Sequence, residues 1–194
     1  MASQYRRRDY KPHELIHFTV RGHNRRRIFD NQADHDEFLN DLRDRIDLSP
    51  PSVRPTLLGY AQMANHQHVF MQAGEDPTHT PKVMRSVSVS YATSYNWRHR
   101  TTGKVFQHPF RGKVVRTPEH IVNAFTYIHL NPDNSLRTTN SSHGFYAGLT
   151  DDPHIDPSLA WQIFGGRAGY LEFFNDTARI RAARQAARRR YEGW

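Results

Sequence analysis

The chain has 194 residues, enough for one domain with an appendage and for one core without covalent staples. It contains no cysteine, which excludes disulfides, thiolate zinc sites and cysteine catalysis. Lys and Arg number 27 against 19 acids, a formal charge of +8, and lysine is confined to Lys11, Lys82, Lys104 and Lys113. Arginine's planar fork suits phosphate and base edges, so the balance points to nucleic acid before a membrane surface, with a merely basic soluble protein as the alternative. No apolar run approaches membrane-spanning length, and the basic start Gln4 to Asp9 leads into no apolar signal region, so no secretory leader is expected.

Glu14 to Arg21 alternates Leu15, His17 and Thr19 with Ile16, Phe18 and Val20, the period-2 pattern of a strand. The polar stretch Gly22 to Arg27 follows as a loop. Phe38, Leu39, Leu42 and Ile46 share one helical face, which predicts a helix from about Asp34 to Asp47, stopped by Ser49-Pro50-Pro51. Arg54 to Met63 reads as a second strand, and Ala64-Asn65 turns it into a third, His66 to Gln72. Val83, Met84, Val87, Tyr91 and Tyr95 predict a long helix from Thr80 to about Arg98. Val105-Phe106 and Lys113 to Arg116 suggest a fourth strand or a hairpin.

Thr117-Pro118-Glu119 supplies the cap, the first-turn proline and the acid of a helix start. That helix runs to about Leu130 and ends near Asn131-Pro132. Leu159 to Phe164 and Tyr170 to Phe174 read as short helices, and Arg179 to Arg190 as an Ala/Arg helix or a disordered tail. The order β-α-β-β-α-β-α is the split βαβ plan with one added helix. The expected class is α+β: a ferredoxin-like or RRM-like antiparallel sheet with helices on one side, plus a C-terminal helical extension.

Two groups of residues can carry chemistry. His66 and His68 project to the same face of a strand and can together hold one divalent ion, or be ordinary core or surface histidines. Tyr127 lies off the Ile121, Phe125 and Ile128 stripe by roughly 120°, and Asn131 follows four residues on. A tyrosine so placed is either a nucleophile or a bland exposed side chain. Basic residues cluster at Arg25, Arg26 and Arg27, at Arg98 to Arg100, at Arg111, Lys113 and Arg116, and in the tail with Arg184 and Arg188. With Tyr91, Trp97, Phe106 and Phe110 between them, they read as phosphate contacts with base stacking, or as a solvated charged face. No P-loop, dinucleotide fingerprint, nucleophile elbow or HExxH competes.

Met63-Ala64-Asn65-His66-Gln67-His68-Val69-Phe70 resembles the histidine–hydrophobic–histidine strand of the IS200-like Y1 (HUH) transposases, closest to the REP-associated tyrosine transposases. Four further matches follow the family's order: Arg21-Gly22-His23 to Phe29, Phe106-Gln107-His108-Pro109-Phe110-Arg111, Tyr127-Ile128-His129-Leu130-Asn131-Pro132, and Ser141-Ser142 with Tyr146-Ala147-Gly148 and the 159–174 stretch. The chain departs from the pattern at Gln67, where a bulky apolar residue is usual, and at Ala64, where proline is usual. Asp133-Asn134-Ser135-Leu136 also replaces the usual Val-Arg-Ala-Gly.

The resemblance implies a catalytic domain over 10–135, a family-like extension over 136–178 and a basic tail over 179–194. It implies single-stranded hairpin DNA as substrate and a Mg²⁺ or Mn²⁺ ion on His66 and His68, with Asn131 adding an oxygen, and no nucleotide cofactor. Tyr127 would attack phosphorus to give a 5′-phosphotyrosine and a free 3′-OH. A cytoplasmic, nucleoid-associated location follows from such a substrate. A homodimer and a monomer both stay open, as does whether Tyr127 serves its own subunit's metal pair. The rival readings are a domesticated non-cleaving nucleic-acid-binding module and a replication or transfer nickase.

Overall fold

In the computed structural model, which describes residues 10–130 and 140–176, four strands form one antiparallel sheet. They are β1 (Leu15–Arg21), β2 (Thr56–Met63), β3 (His66–Gln72) and β4 (Arg111–Val115), in the spatial order β2-β3-β1-β4. This is the ferredoxin-like order, with β1 and β3 central. β2 and β3 are joined by the two-residue turn Ala64-Asn65, which pairs Met63 with His66.

Helix α1 (Gln32–Asp47) opens two residues before its expected start. Asn31 forms a capping box with Asp34: Asp34 N–H donates to Asn31 Oδ1 at 3.1 Å, and Asn31 N–H donates back to Asp34 Oδ2 at 3.3 Å. Helix α2 (His79–Arg98) packs along α1, with Arg45 donating to Ser86 Oγ at 2.6 Å and Arg98 to Asp34 at 2.8 Å. This layer covers the sheet face that carries Tyr60 and Gln62. The Arg43 guanidinium lies over the Tyr60 ring, and Gln62 donates to the His35 carbonyl. Ile16, Phe18, Val20, Val69 and Met71 fill the core between.

Helix α3 (Pro118–Leu130) crosses the opposite face, so the two helices of the split plan sit on one side and the added helix on the other. Phe125 meets Phe70 edge-on, with ring centroids 5.4 Å apart. α3 is buried around most of its circumference because residues 140–176 close over its outer side.

That segment also shields the β2 edge. Gln62 N–H donates to Asn140 O, Ser142 N–H to Tyr60 O, and Asp156 N–H to Leu57 O, each at 2.9–3.0 Å. It continues as α4 (His143–Tyr146), α5 (Ser158–Phe164) and α6 (Gly166–Asn175), and the last two are joined through Gly165 and Gly166, at φ +75° and +83°. Tyr146, Ile155, Ala160, Tyr170 and Phe174 enter the same core cluster as the sheet.

Val105-Phe106 forms no strand: Phe106 makes one isolated bridge to Gly22. The tail helix expected over Arg179 to Arg190 lies outside the described residues. Among the described residues, no helix is long and apolar enough to cross a membrane.

Candidate active site

The alternation along β3 puts His66, His68 and Phe70 on the face that α3 crosses. The antiparallel register sets Arg21 opposite His66, Thr19 opposite His68 and His17 opposite Phe70. The His66 and His68 rings lie 5.1 Å apart at 88°. From above, α3 lowers Tyr127 onto them: its ring stands perpendicular to that of His68 at 4.9 Å and 6.1 Å from that of His17.

Each histidine of the pair has a partner on Nδ1. His66 Nδ1 is 2.6 Å from Asn65 Oδ1, and His68 Nδ1 is 2.9 Å from His17 Nε2 and 3.2 Å from Thr19 Oγ1. Burial, with the nearby Arg21 cation, pushes the His66 imidazole down to about 4. Burial holds His68 well below its ordinary range, helped by His17, His66 and Arg21. Burial and Lys113 push His17 down to about 3. The three rings are therefore neutral near pH 7, and Arg21 and Lys113 act on them as cations. Neutral imidazoles offer lone pairs to a metal, and a cationic surround favours an anionic phosphate.

The helix bearing Tyr127 is anchored by a buried chain of hydrogen bonds. His129 Nε2 is 2.8 Å from Ser142 Oγ, and its Nδ1 is 2.9 Å from the Tyr170 hydroxyl, which lies 2.6 Å from His143 Nδ1. Ser142 Oγ also accepts from Tyr60 N–H at 2.9 Å. A Cβ on Gly59 would come within 3.0 Å of Ser142 Oγ, so the bare glycine allows β2, α3 and the extension to approach closely.

The basic residues separate into places. Arg25, Arg26 and Arg27 lie on the loop after β1, which is pinned to the β2–β3 turn: Gly22 N–H donates to Asn65 O, and the Ile28 and Phe29 N–H groups donate to Ala64 O. Arg26 sits over the Tyr95 ring, and Arg27 pairs with Asp30 at 3.1 Å. Arg111 and Lys113 pair across from Thr19 and His17, on the histidine face. Arg116 sits at the far end of the sheet, held by Glu14 at 2.7 Å. Asn131, Arg184 and Arg188 lie outside the described residues.

No family model matches the chain, and no curated protein does. The fold is that of a solved transposase. A REP-associated tyrosine transposase bound to a REP hairpin matches with a TM-score of 0.61, covering 79% of this chain and 97% of its own, at 15% identity. What the two chains share at that identity is the fold, over 79% of this chain and almost the whole length of the transposase.

A second group of ligand-type side chains, Asp30, Asp34 and His99, has its atoms within 4.8 Å of one another. It does not suit a cation, because the Asp34 carboxylate already accepts from Arg98, His99 and the Asp30 and Asn31 N–H groups. Burial alone would raise the Asp34 pKa, but the His99, Asp30 and Arg98 contacts outweigh it and hold it low. These bonds tie the start of α1 to the end of α2. Sequence reasoning missed His17, Thr19 and Asn65 as parts of the site. The polar row of β1 was visible in the alternation, but its position opposite the histidines depends on the strand register.

Proposed function

We propose that the chain is a metal-dependent single-stranded DNA endonuclease and strand transferase of the Y1 type, acting on hairpin DNA through a 5′-phosphotyrosine intermediate. The observation that carries this reading is the Tyr127 ring standing 4.9 Å from His68, beside a second histidine on the same strand face. A phenol next to paired neutral imidazoles suits phosphoryl transfer to tyrosine better than a purely structural face. The likeness of fold to a REP-associated tyrosine transposase bound to a REP hairpin supports the same reading.

The donor set fits a divalent cation: His66 and His68 stand side by side on one strand face, Asn65 takes up His66 Nδ1 and leaves Nε2 as that ring's ligand atom, and both rings are neutral near pH 7. Such a cation, Mg²⁺ or Mn²⁺, would withdraw charge from the scissile phosphate when bound. Asn131, four residues after Tyr127, is the proposed third ligand. Arg111 and Lys113 line the face along which the strand would run, and Arg25, Arg26 and Arg27 bracket its open end.

Tyr127 Oη forms the new bond to phosphorus as the bond from phosphorus to the 3′ oxygen breaks. One proton leaves the phenol and one joins the 3′ oxygen. The ester keeps the bond energy, so attack by a 3′-OH reverses the step and rejoins strands without a nucleotide cofactor.

The test is incubation of the protein with end-labelled single-stranded hairpin DNA and Mn²⁺, followed by denaturing electrophoresis. A labelled covalent adduct is expected. It should be lost in His66→Ala, in His68→Ala and in EDTA, with hairpin binding largely kept because arginines supply most phosphate affinity. Tight hairpin binding with no adduct from wild type would reject cleavage and leave a binding module.

A further inference from the structure

We propose that Asn65 is a positioning residue that holds His66 in its Nδ1–H tautomer and ties that ring to the basic loop after β1. The inference rests on the reading of His66 as a metal-binding histidine, and it concerns a residue in which that reading assigns no role.

The Asn65 side chain makes two contacts. Its Nδ2 faces the Arg25 carbonyl at 3.3 Å, and its Oδ1 faces His66 Nδ1 at 2.6 Å. A carbonyl oxygen only accepts, so the amide end that meets Arg25 must be the NH₂ group. That sets the direction of the amide and leaves Oδ1 toward His66. Oδ1 also only accepts, so His66 Nδ1 carries the hydrogen. The ring's lone pair is then on Nε2, the nitrogen that Asn65 does not touch. Metal-binding histidines are commonly oriented in this way, by an acceptor on the other ring nitrogen.

The turn that carries Asn65 is clamped independently of its side chain. Asn65 O accepts from Gly22 N–H at 2.9 Å, and Ala64 O accepts from Ile28 N–H at 2.7 Å and Phe29 N–H at 3.1 Å. The loop in turn is bent to reach it: Asn24 and Arg25 both adopt left-handed backbone conformations, at φ 51° and 60°. Non-glycine residues hold that conformation only where their surroundings over-determine it. The Arg25–Asn65–His66 relay therefore joins the loop of three arginines to the imidazole by two consecutive hydrogen bonds. Phosphate engaged by the loop and a cation engaged by His66 share one rigid support.

The experiment reads the His66 tautomer from long-range ¹H–¹⁵N side-chain spectra of the full chain, without metal or DNA, alongside titration with Mn²⁺ alone. Wild type should show His66 with Nε2 unprotonated. Asn65→Ala should move His66 toward the Nε2–H form and weaken Mn²⁺ binding about 10- to 100-fold. Asn65→Asp keeps an acceptor oxygen and should keep Nδ1 protonated, which separates loss of the contact from loss of the fold. A wild-type His66 protonated on Nε2 overturns the assignment, even if the hairpin is cleaved. So does an Asn65→Ala protein with unchanged tautomer and Mn²⁺ affinity. If wild type shows the assigned tautomer but binds no Mn²⁺, the reading of the site as a metal centre falls, and with it the purpose given to Asn65.

Discussion

Tyr127 and His68 lie nearly sixty residues apart in the chain, yet their rings meet at 4.9 Å and a right angle. The sheet contributes the imidazole by strand parity, and α3 contributes the phenol from the opposite side of a narrow gap. Neither element alone makes a site. The packing of Phe125 on Phe70 sets the height of α3 above the sheet, and the His129–Ser142–Tyr170 bonds anchor it from above.

That anchoring has a measurable consequence. Ser142→Ala removes the hydroxyl that serves Tyr60 N–H and His129 Nε2, both in the interior. It should destabilise the protein by about 1–3 kcal/mol, the cost of leaving buried polar groups unpaired. Urea unfolding of the two proteins checks it. An unchanged midpoint would show that the chain of bonds contributes nothing to the packing of α3.

Acid should weaken the same region. Burial pushes the His143 imidazole down to about 4 from an ordinary 6.5, with the Tyr170 hydroxyl on its Nδ1 and the His129 ring alongside. Above pH 6.5 the ring is neutral in both folded and unfolded chains, and contributes no pH dependence. Between 6.5 and about 4 only the unfolded chain takes up the proton, so stability falls with falling pH, by up to about 3 kcal/mol. Below about 4 the folded protein is protonated as well and the loss stops. His129, also held low by burial, acts in the same direction. Unfolding free energies of wild type and His143→Gln between pH 7.5 and 4 should diverge across this window; parallel curves would refute the argument.

The positions of the cations predict an asymmetry in DNA binding. Arg111 and Lys113 lie on the histidine face, whereas Arg116 is paired with Glu14 about 20 Å along the sheet from the His66 end. Arg111→Ala and Lys113→Ala should each reduce the slope of log K against log salt by about 0.7–0.9 on hairpin DNA. Arg116→Ala should leave the slope unchanged. Equal effects at all three positions would place the DNA elsewhere.

Much of this arrangement is legible in the residues themselves. Strand β3 falls within its expected limits and helix α3 starts where expected because punctuation is strong there, at the Ala64-Asn65 turn and the Thr117-Pro118 start; the expected stop at Asn131-Pro132 lies outside the described residues. The start of α1 is displaced because its capping box precedes the apolar stripe. Helix α4 is too short, at 4 residues, to show a period. The side of the sheet taken by α3 is not legible, because it depends on the 140–176 segment closing over a helix that is apolar on most faces. The roles of His17 and Asn65 are equally hidden, since they arise from register and from a turn, not from spacing along the chain.

The most direct test of the central claim is where the DNA becomes attached. Wild-type protein and Tyr127→Phe are incubated with hairpin DNA and Mn²⁺, digested with nuclease and protease, and mapped by mass spectrometry. The account predicts a nucleotide phosphate on the peptide containing Tyr127 in wild type, and no adduct in Tyr127→Phe with folding and hairpin binding nearly intact. An adduct of wild-type yield in Tyr127→Phe, or attachment to a different residue, would contradict it.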